Sequence, residues 1–246
     1  MKSKRMLKMA AVVSAAALLA RGVYFLFHNG IAQKISYEKL KPFMPDITLL
    51  NVSPAERLMT KDKAELKEQV RKMNHSYDGS IGWIYIPDTN INYPVMQSED
   101  NEYYLRRAYD RSYLYSGSVF LDRRCSPDFS GDVNMLYGHN MQNGSMFADV
   151  VNFINEDYFD SHRYGWLTTE ESVYRIEFFS VSQPQSYSGV YNVLRAGDKW
   201  LAKLKSCSLI YRNPDIGEDD PMISLSTCTG SEGSSRTVLT GKLIEV

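Results

Sequence analysis

A short segment near the C-terminus reads Ile223-Ser224-Leu225-Ser226-Thr227-Cys228-Thr229-Gly230, and Arg236 follows eight positions after the cysteine. Apolar and small polar residues alternate in this segment with a period of two, which is the pattern of a half-buried strand. Gly230 and Gly233 then predict a turn, and residues 236–243 predict a second strand. Because antiparallel neighbours joined by a short loop lie side by side, we expect Arg236 to lie close to Cys228. A thiol beside a guanidinium is typical of a reactive cysteine, although a lone cysteine is more often buried and inert.

The composition predicts one large domain, or one domain with an appendage. The chain has 246 residues, of which 43% are hydrophobic and 23% are charged. Its three cysteines are too few and too scattered for a disulfide framework or a zinc site, so we expect no metal and no other cofactor. Cys125 and Cys207 could pair with each other, and the odd count leaves at least one free thiol.

Charge is distributed unevenly along the chain. Five basic residues precede position 22, and the first acidic residue is Glu38. Without those five, 23 basic residues face 29 acidic ones, which leaves a net charge of −6. A mildly acidic body lacks the basic face that nucleic-acid binding needs, so we expect no nucleic-acid partner.

The basic run precedes a hydrophobic segment, residues 9–27, and together they predict an export signal. As one helix, residues 6–27 would span about 33 Å, which is enough for a bilayer core. Positive residues before the segment favour a cytoplasmic N-terminus. The alternative is a signal peptide with cleavage near Ala17 to Ala20, and Arg21 within the apolar run keeps that alternative open. We expect a single-pass membrane anchor at residues 1–27, a linker at 28–54 and an extracellular domain at 55–246.

The rest of the chain predicts a mainly β domain. A helix is expected from Pro54 to about Asn74, with Ser53 as its cap. Further strands are expected at residues 81–87, 91–97, 116–121, 134–137 and 173–182, and helices at 146–154 and 197–208. An acidic loop, 213–220, precedes the cysteine strand. Many short strands with turn signals and a few helices favour a closed or nearly closed β-barrel with helical decorations.

His139 is the candidate for acid–base chemistry among the four histidines. It follows the apolar strand that ends at Tyr137, with Gly138 between them, so its imidazole would stand at the open end of a sheet. A lone histidine is more often structural. A cysteine and an arginine at matching strand ends favour the catalytic interpretation.

Three segments together resemble the active-site segments of the sortases, which are cell-surface cysteine transpeptidases of Gram-positive bacteria. They read Leu136-Tyr137-Gly138-His139-Asn140-Met141, Leu225-Ser226-Thr227-Cys228 and Arg236-Thr237-Val238. Spaced motifs from Gly82-Trp83-Ile84 to Gly144-Ser145-Met146-Phe147 are similar to class B of that family. The resemblance covers about residues 55–246. It implies an eight-stranded sortase barrel with N-terminal helices, a helix in the connection before the cysteine strand and one N-terminal membrane anchor.

The resemblance implies a role for each of three residues. Cys228, as a thiolate, would attack the threonine carbonyl of a sorting signal and form a thioester. His139 would protonate the leaving amine and then deprotonate the incoming one, and Asn140 could orient it. Arg236 would donate hydrogen bonds to the oxyanion or hold the substrate backbone. The implied partners are a Pro-x-Thr sorting peptide of a surface protein and an amine of a peptidoglycan precursor or cross-bridge.

The resemblance also implies a set of substrate-binding positions. They are Asn101, Leu105, Tyr137, Ser186, Tyr191, Ser226 and Thr229. Ser186 and Tyr191 are placed only by the length of their segment. Several class B sequences carry an acidic residue where this chain has Thr229, so a carboxylate role at that position is in doubt. Ordinary packing is the alternative for every one of these residues.

Two other classes of function are weighed against a transpeptidase. A papain-like cysteine protease would carry its cysteine early, at the start of a helix, with the histidine downstream. Here His139 precedes Cys228, and Cys228 ends a strand. A membrane-anchored binding module would need no reactive thiol, so thiol labelling separates it from an enzyme.

Overall fold

The computed structural model describes residues 2–50, 58–194, 197–217, 220–229 and 235–246, with the backbone alone for residues 2–13 and 24–28. The chain divides into two compact units, Met1–Lys41 and Pro42–Val246. Every candidate site residue lies in the second unit.

The first unit is a single helix, α1 (Lys2–Leu40). It continues past the hydrophobic segment into residues 28–40, which we expected to belong to a linker. Leu18, Leu19 and Val23 on this helix are exposed. Among the residues that the structure describes, no helix combines the length and the apolar character that a bilayer crossing needs.

The second unit is built on a β-sheet that closes on itself. Its strands are β1 (Ser80–Tyr85), β2 (Asn92–Met96), β3 (Val119–Leu121), β4 (Val133–Tyr137), β5 (Tyr164–Thr168), β6 (Val173–Ser182), β7 (Ser208–Tyr211), β8 (Met222–Cys228) and β9 (Arg236–Glu245). The order is β5-β1-β2-β3-β4-β8-β9-β6-β7, and β5 also pairs with β6. Eight strands therefore form a closed barrel, and β7 extends it along the last residues of β6. The predicted eight-stranded sortase-type barrel is confirmed.

Helices decorate the barrel. The α-helices are α2 (Thr60–Ser76), α3 (Glu156–Ser161) and α4 (Asp198–Ser206). Short 3-10 helices span Lys41–Phe43, Ile47–Leu50, Tyr103–Leu105, Ala148–Ile154 and Gly189–Tyr191. The helix expected at 146–154 is thus a 3-10 helix, and α4 with the Gly189–Tyr191 turn occupies the connection before the cysteine strand.

Helix α2 packs through one apolar stripe. Leu66, Val70 and Met73 are spaced four and three residues apart and are all fully buried. Leu66 joins a core cluster that also contains Leu50, Leu58, Trp166 and Val173. The helix begins at Thr60 and not at Pro54, and its preceding residue, Met59, makes no side-chain cap. Ser53 and Pro54 lie outside the described residues.

Two parallel pairs in an otherwise antiparallel barrel determine where the candidate site forms. Strand β2 pairs parallel with β3, and β4 pairs parallel with β8. In the second pair Tyr137, the last residue of β4, lies beside Ser226. Parallel strands end at the same edge of a sheet, so the residues that follow β4 lie beside the end of β8. His139 and Cys228 are brought to one edge in this way.

Candidate active site

Cys228 and Arg236 are direct partners across the β8–β9 ladder. Their pairing continues the antiparallel register that joins Thr227 to Thr237 and Ser226 to Val238. Side chains of residues directly opposite each other in an antiparallel pair project from the same face of the sheet, with their Cβ atoms about 5 Å apart. The thiol and the guanidinium therefore share one face at the end of the hairpin, as the strand–turn–strand pattern predicts.

The end of β4 is fastened to β8 by three hydrogen bonds. The Gly138 amide donates to the carbonyl of Ser226 at 3.2 Å, and the Thr227 hydroxyl donates to the carbonyl of Gly138 at 2.8 Å. The Asn140 side-chain amide donates to the carbonyl of Cys228 at 3.0 Å. Asn140 thus ties the histidine segment to the cysteine itself, whereas we expected it to orient the imidazole.

The His139 ring is positioned by a backbone carbonyl. Its Nε2 lies 2.9 Å from the oxygen of Leu105. A carbonyl only accepts, so Nε2 carries a proton, and in the neutral ring Nδ1 is the nitrogen that can take one up. Burial lowers the pKa of His139, the nearby positive charge of Arg106 lowers it further, and the Leu105 hydrogen bond opposes them. A lowered histidine pKa favours the neutral, proton-accepting ring near pH 7.

Arg236 is held beside the segment that precedes α4. Its amide donates to the carbonyl of Pro184 at 3.0 Å, and Nη1 donates to the carbonyl of Ser235 at 3.1 Å. Gln185 forms a β-bridge with Ser235. These backbone contacts bring residues 183–191 alongside the Cys228–Arg236 pair.

Two tyrosines stand next to the cysteine strand. The Tyr191 hydroxyl lies 2.9 Å from the Ser226 Oγ, and the Tyr191 and Tyr137 rings are nearly parallel with centroids 6.4 Å apart. Burial raises the pKa of Tyr191, while the charge of Arg236 acts in the opposite direction. Tyr137, Tyr191 and Ser226 therefore form one cluster beside the cysteine strand.

The remaining candidates occupy different surroundings. Leu105 is 37% exposed and supplies its carbonyl to His139. The Thr229 hydroxyl lies 3.2 Å from that of Thr237 and 3.3 Å from that of Ser235, so it interacts within the β8–β9 hairpin. Ser186 is exposed on the segment that follows Gln185. The Asn101 side-chain amide donates to the carboxylate of Asp122 at 3.0 Å.

The other two cysteines are poor nucleophile candidates. All three cysteines are free, so Cys125 and Cys207 do not pair with each other. Cys125 is buried with its sulfur 3.3 Å from the carbonyl of Val133, and burial raises its pKa to about 11. Burial also raises the pKa of Cys207. A raised thiol pKa lowers the fraction of thiolate, which is the nucleophilic form.

Two residues that connect the candidates were not predicted from the sequence. Asp122 is completely buried, and Arg124 forms an ion pair with it at 2.8 Å. The available signal was an aspartate directly after the apolar residues Val119, Phe120 and Leu121, where a carboxylate needs partners to remain buried.

Comparison with known proteins identifies the family. Residues 84–244 match the sequence profile of the sortase domain. The chain belongs to the sortase family. It is 31% identical over 202 residues to sortase B of Listeria monocytogenes, with 77% of this chain and 82% of that protein covered.

Solved structures agree with this assignment to class B. The structure of a Staphylococcus aureus sortase B–substrate complex superposes with a TM-score of 0.75 at 23% identity, covering 89% of this chain and 99% of that one. Clostridium perfringens sortase B superposes with a TM-score of 0.64 at 29% identity, covering 71% and 98%. This class B sortase is accordingly a cysteine transpeptidase, and its family acts on the sorting signals of surface proteins.

Proposed function

We propose that Cys228, His139 and Arg236 carry out the transpeptidation of this sortase. The observation that carries the proposal is the register that pairs Cys228 with Arg236, at the edge where the His139 segment is bonded to Cys228 through Asn140. It brings a thiol, a permanent cation and a neutral imidazole to one edge of the barrel. None of the three needs a carboxylate to complete the reaction.

The first half-reaction forms a thioester. Neutral His139 first takes up the thiol proton of Cys228 at Nδ1. The resulting Cys228 thiolate attacks the carbonyl carbon of the threonine in a sorting signal, and a tetrahedral oxyanion develops. The guanidinium of Arg236 donates hydrogen bonds to that oxyanion or holds the adjacent backbone. When the intermediate collapses, the threonine C–N bond breaks and His139, in its protonated form, transfers a proton to the leaving amine.

The second half-reaction transfers the acyl group. An amine of a peptidoglycan precursor or cross-bridge attacks the thioester, and neutral His139 accepts its proton through Nδ1. The C–S bond breaks, so Cys228 returns as a thiolate and a new amide leaves. The low histidine pKa supports this step, because the ring must be neutral to accept a proton.

We further propose that Tyr137, Tyr191, Ser226 and the exposed side of Leu105 contact a Pro-x-Thr sorting peptide. Their position beside the cysteine strand supports this assignment. Ser186 lies on the same segment as Tyr191, Thr229 directly follows Cys228, and Asn101 binds the carboxylate that also binds Tyr137. In this scheme Thr229 acts as part of the hairpin, because its hydroxyl interacts with Ser235 and Thr237.

The N-terminal helix is proposed to anchor the enzyme in the membrane, with the domain outside the cell. The support is the basic run before residues 9–27 and the exposed Leu18, Leu19 and Val23 on α1. In this arrangement residues 1–27 form the anchor and 28–54 separate it from the catalytic domain at 55–246.

The decisive experiment is capture of the acyl enzyme. Incubation with a Pro-x-Thr peptide should give a mass adduct at Cys228 that hydroxylamine or a glycine-type amine releases. Cys228→Ala, Cys228→Ser and His139→Ala should abolish cleavage. Cys125→Ala and Cys207→Ala are the matched thiol controls and should retain it. An adduct on either control cysteine, or activity in Cys228→Ala, would overturn the assignment.

A further inference from the structure

A completely buried carboxylate follows β3. Asp122 accepts five hydrogen bonds on two oxygens. At Oδ1 the donors are the amide and Nε of Arg124, both at 2.9 Å. At Oδ2 they are Arg124 Nη2 at 2.8 Å, the Tyr137 hydroxyl at 2.8 Å and the Asn101 amide at 3.0 Å.

These hydrogen bonds keep Asp122 ionised. Burial on its own raises the pKa of the carboxyl group, but the hydrogen bonds from Arg124 and Tyr137 outweigh it and hold the pKa below its usual value. Burial raises the pKa of the Tyr137 hydroxyl, and the negative charge of Asp122 raises it further. Tyr137 therefore remains a hydrogen-bond donor to Asp122 near neutral pH.

Arg124 links the Asp122 carboxylate to a segment that is distant in the sequence. Its Nη2, which already donates to Asp122, also donates to the carbonyl of Tyr191 at 3.0 Å. These residues are 67 positions apart in sequence. Tyr191 ends the 3-10 turn Gly189–Tyr191, and its hydroxyl lies beside Ser226 on the cysteine strand. One guanidinium thus joins the end of β3 to the turn that carries Tyr191.

The contacts converge on the proposed substrate site. Asn101, Tyr137 and Tyr191 come from three separate segments, and each is bound to Asp122 directly or through Arg124. An ion pair with one buried member is weak evidence of stabilisation, because desolvation of the buried charge offsets much of the attraction. The partners of this carboxylate are residues proposed to contact substrate, so positioning those residues explains it better than stabilisation of the fold does.

We propose that Asp122 and Arg124 are positioning residues that hold Tyr137 and Tyr191 at the spacing the sorting peptide requires. They act on substrate binding and not on the chemistry at Cys228. This inference rests on the proposed function of those two tyrosines. It predicts that loss of Arg124 weakens peptide binding while leaving the reactivity of the thiol intact.

The test compares Arg124→Gln with Arg123→Gln in the full-length chain. Arg123 is the next residue and is exposed like Arg124, so its replacement removes the same charge but leaves the hydrogen bonds of Arg124 to Asp122 and Tyr191 in place. Arg124→Gln should raise the KM for a Pro-x-Thr peptide about 10-fold, because a displaced binding group loses its contacts with substrate. Its kcat and the rate of Cys228 alkylation by iodoacetamide should change less than about 2-fold. Arg123→Gln should match the wild type in all three.

A second variant, Tyr191→Ala, tests whether Arg124 acts through the position of Tyr191. In Tyr191→Ala the tyrosine ring is absent and only the link through Asp122 to Tyr137 remains, so adding Arg124→Gln should raise KM by less than it does in the wild type, whereas independent effects would add in full. Arg124→Lys keeps the charge but not the planar fork, and it should raise KM by about 3-fold. It also serves as the test if Arg124→Gln does not fold.

The outcomes separate the two proposals. Suppose that the wild type cleaves the peptide and that both Arg124 variants keep its KM, even if their Tm is lower. Asp122 and Arg124 would then be only a structural pair, and this inference alone would be overturned. An equal KM rise in Arg123→Gln, or full additivity with Tyr191→Ala, would also overturn it. Absence of peptide cleavage by the wild type would overturn the proposed function and this inference together.

Discussion

Single residues set the protonation states on which the chemistry depends. His139 has its Nε2 bound to the carbonyl of Leu105 and its pKa lowered chiefly by burial. We expect NMR titration of the ring carbons to give a midpoint below the ordinary histidine value of about 6.5. The unfolded chain then binds this proton first as pH falls through about 6.5, so the native state loses stability there. A midpoint at or above 6.5 would contradict this account.

His139→Gln is the control for the predicted loss of stability in acid. Both states are neutral at His139 well above pH 6.5, so the residue contributes no pH dependence there. Replacing it by Gln removes a group that must be protonated in acid. His139→Gln should therefore lose less unfolding free energy than the wild type between about pH 7 and 5, as measured by urea denaturation at each pH.

Arg236 tests the requirement for a guanidinium as opposed to a positive charge. It is the cross-strand partner of Cys228, and lysine keeps the charge but cannot present the same fork of donors. We expect Arg236→Lys to lower kcat/KM about 100-fold, the scale of losing one oxyanion donor, with little change in Tm. Arg212→Lys is the matched control, because Arg212 pairs with Glu156 and Asp160 on α3. Near wild-type turnover by Arg236→Lys would remove Arg236 from the mechanism.

At the scale of secondary-structure elements, the end of β4 positions the histidine. A Cβ at Gly138 would lie 2.6 Å from Cγ of Phe147, which is fully buried. Phe147 is also bonded through its amide to the carbonyl of His139 at 2.9 Å. Gly138→Ala must therefore displace either the ring or the strand end that carries the imidazole.

The expected result is a loss of both stability and turnover. Gly138→Ala should cost about 1–3 kcal/mol of unfolding free energy, as overpacked cores do, and should lower kcat about 10-fold. Gly131→Ala, in the loop before β4, is the matched control, because its nearest neighbour would be Asn134 Oδ1 at 3.7 Å. Equal kcat in the two variants would show that the position of this strand end does not limit the reaction.

At the scale of the whole molecule, the two units differ in what they contribute. The unit Pro42–Val246 contains the barrel and every proposed catalytic residue. We expect a chain that begins at Pro42 to keep its Tm, to cleave the peptide and to be soluble without detergent. The full chain should instead remain with membranes after carbonate washing. Release of a full-domain protein whose N-terminus begins near Arg21 would favour the cleaved signal peptide.

A deeper truncation serves as the control for folding. Removing residues 1–59 also removes Leu50 and Leu58 from their cluster with Leu66, Trp166 and Val173. Burial of a leucine side chain contributes about 1.5–3 kcal/mol, so the loss should be about 3–6 kcal/mol of unfolding free energy. An unchanged denaturation midpoint would mean that this cluster does not support the barrel.

Local patterns were sufficient for the elements nearest the site. Strands β8 and β9 follow from alternation, and their pairing follows because only seven residues, 229–235, separate them along the chain. Because Arg236 follows Cys228 by only eight positions, their cross-strand pairing can be predicted from the sequence. Strand β6 was also predicted with its observed bounds, Val173–Ser182, because its residues are strongly β-forming.

Elements that depend on distant partners were not predicted. Strands β5 and β7 and the short helix α3 have weak periodicity of their own. Residues 164–168 become a strand because β1 and β6 offer them two free edges, which closes the barrel. No local propensity encodes that closure, because it is a property of the whole sheet.

The sequence alone determined the family, the barrel and the three residues proposed for the chemistry, because each rests on short motifs or on neighbours along the chain. The tertiary structure decided how those residues are supported. Asn140 reaches Cys228 across 88 positions, and Arg124 reaches Tyr191 across 67. Such contacts follow from strand order and register, so a buried carboxylate such as Asp122 acquires its partners only when the barrel closes.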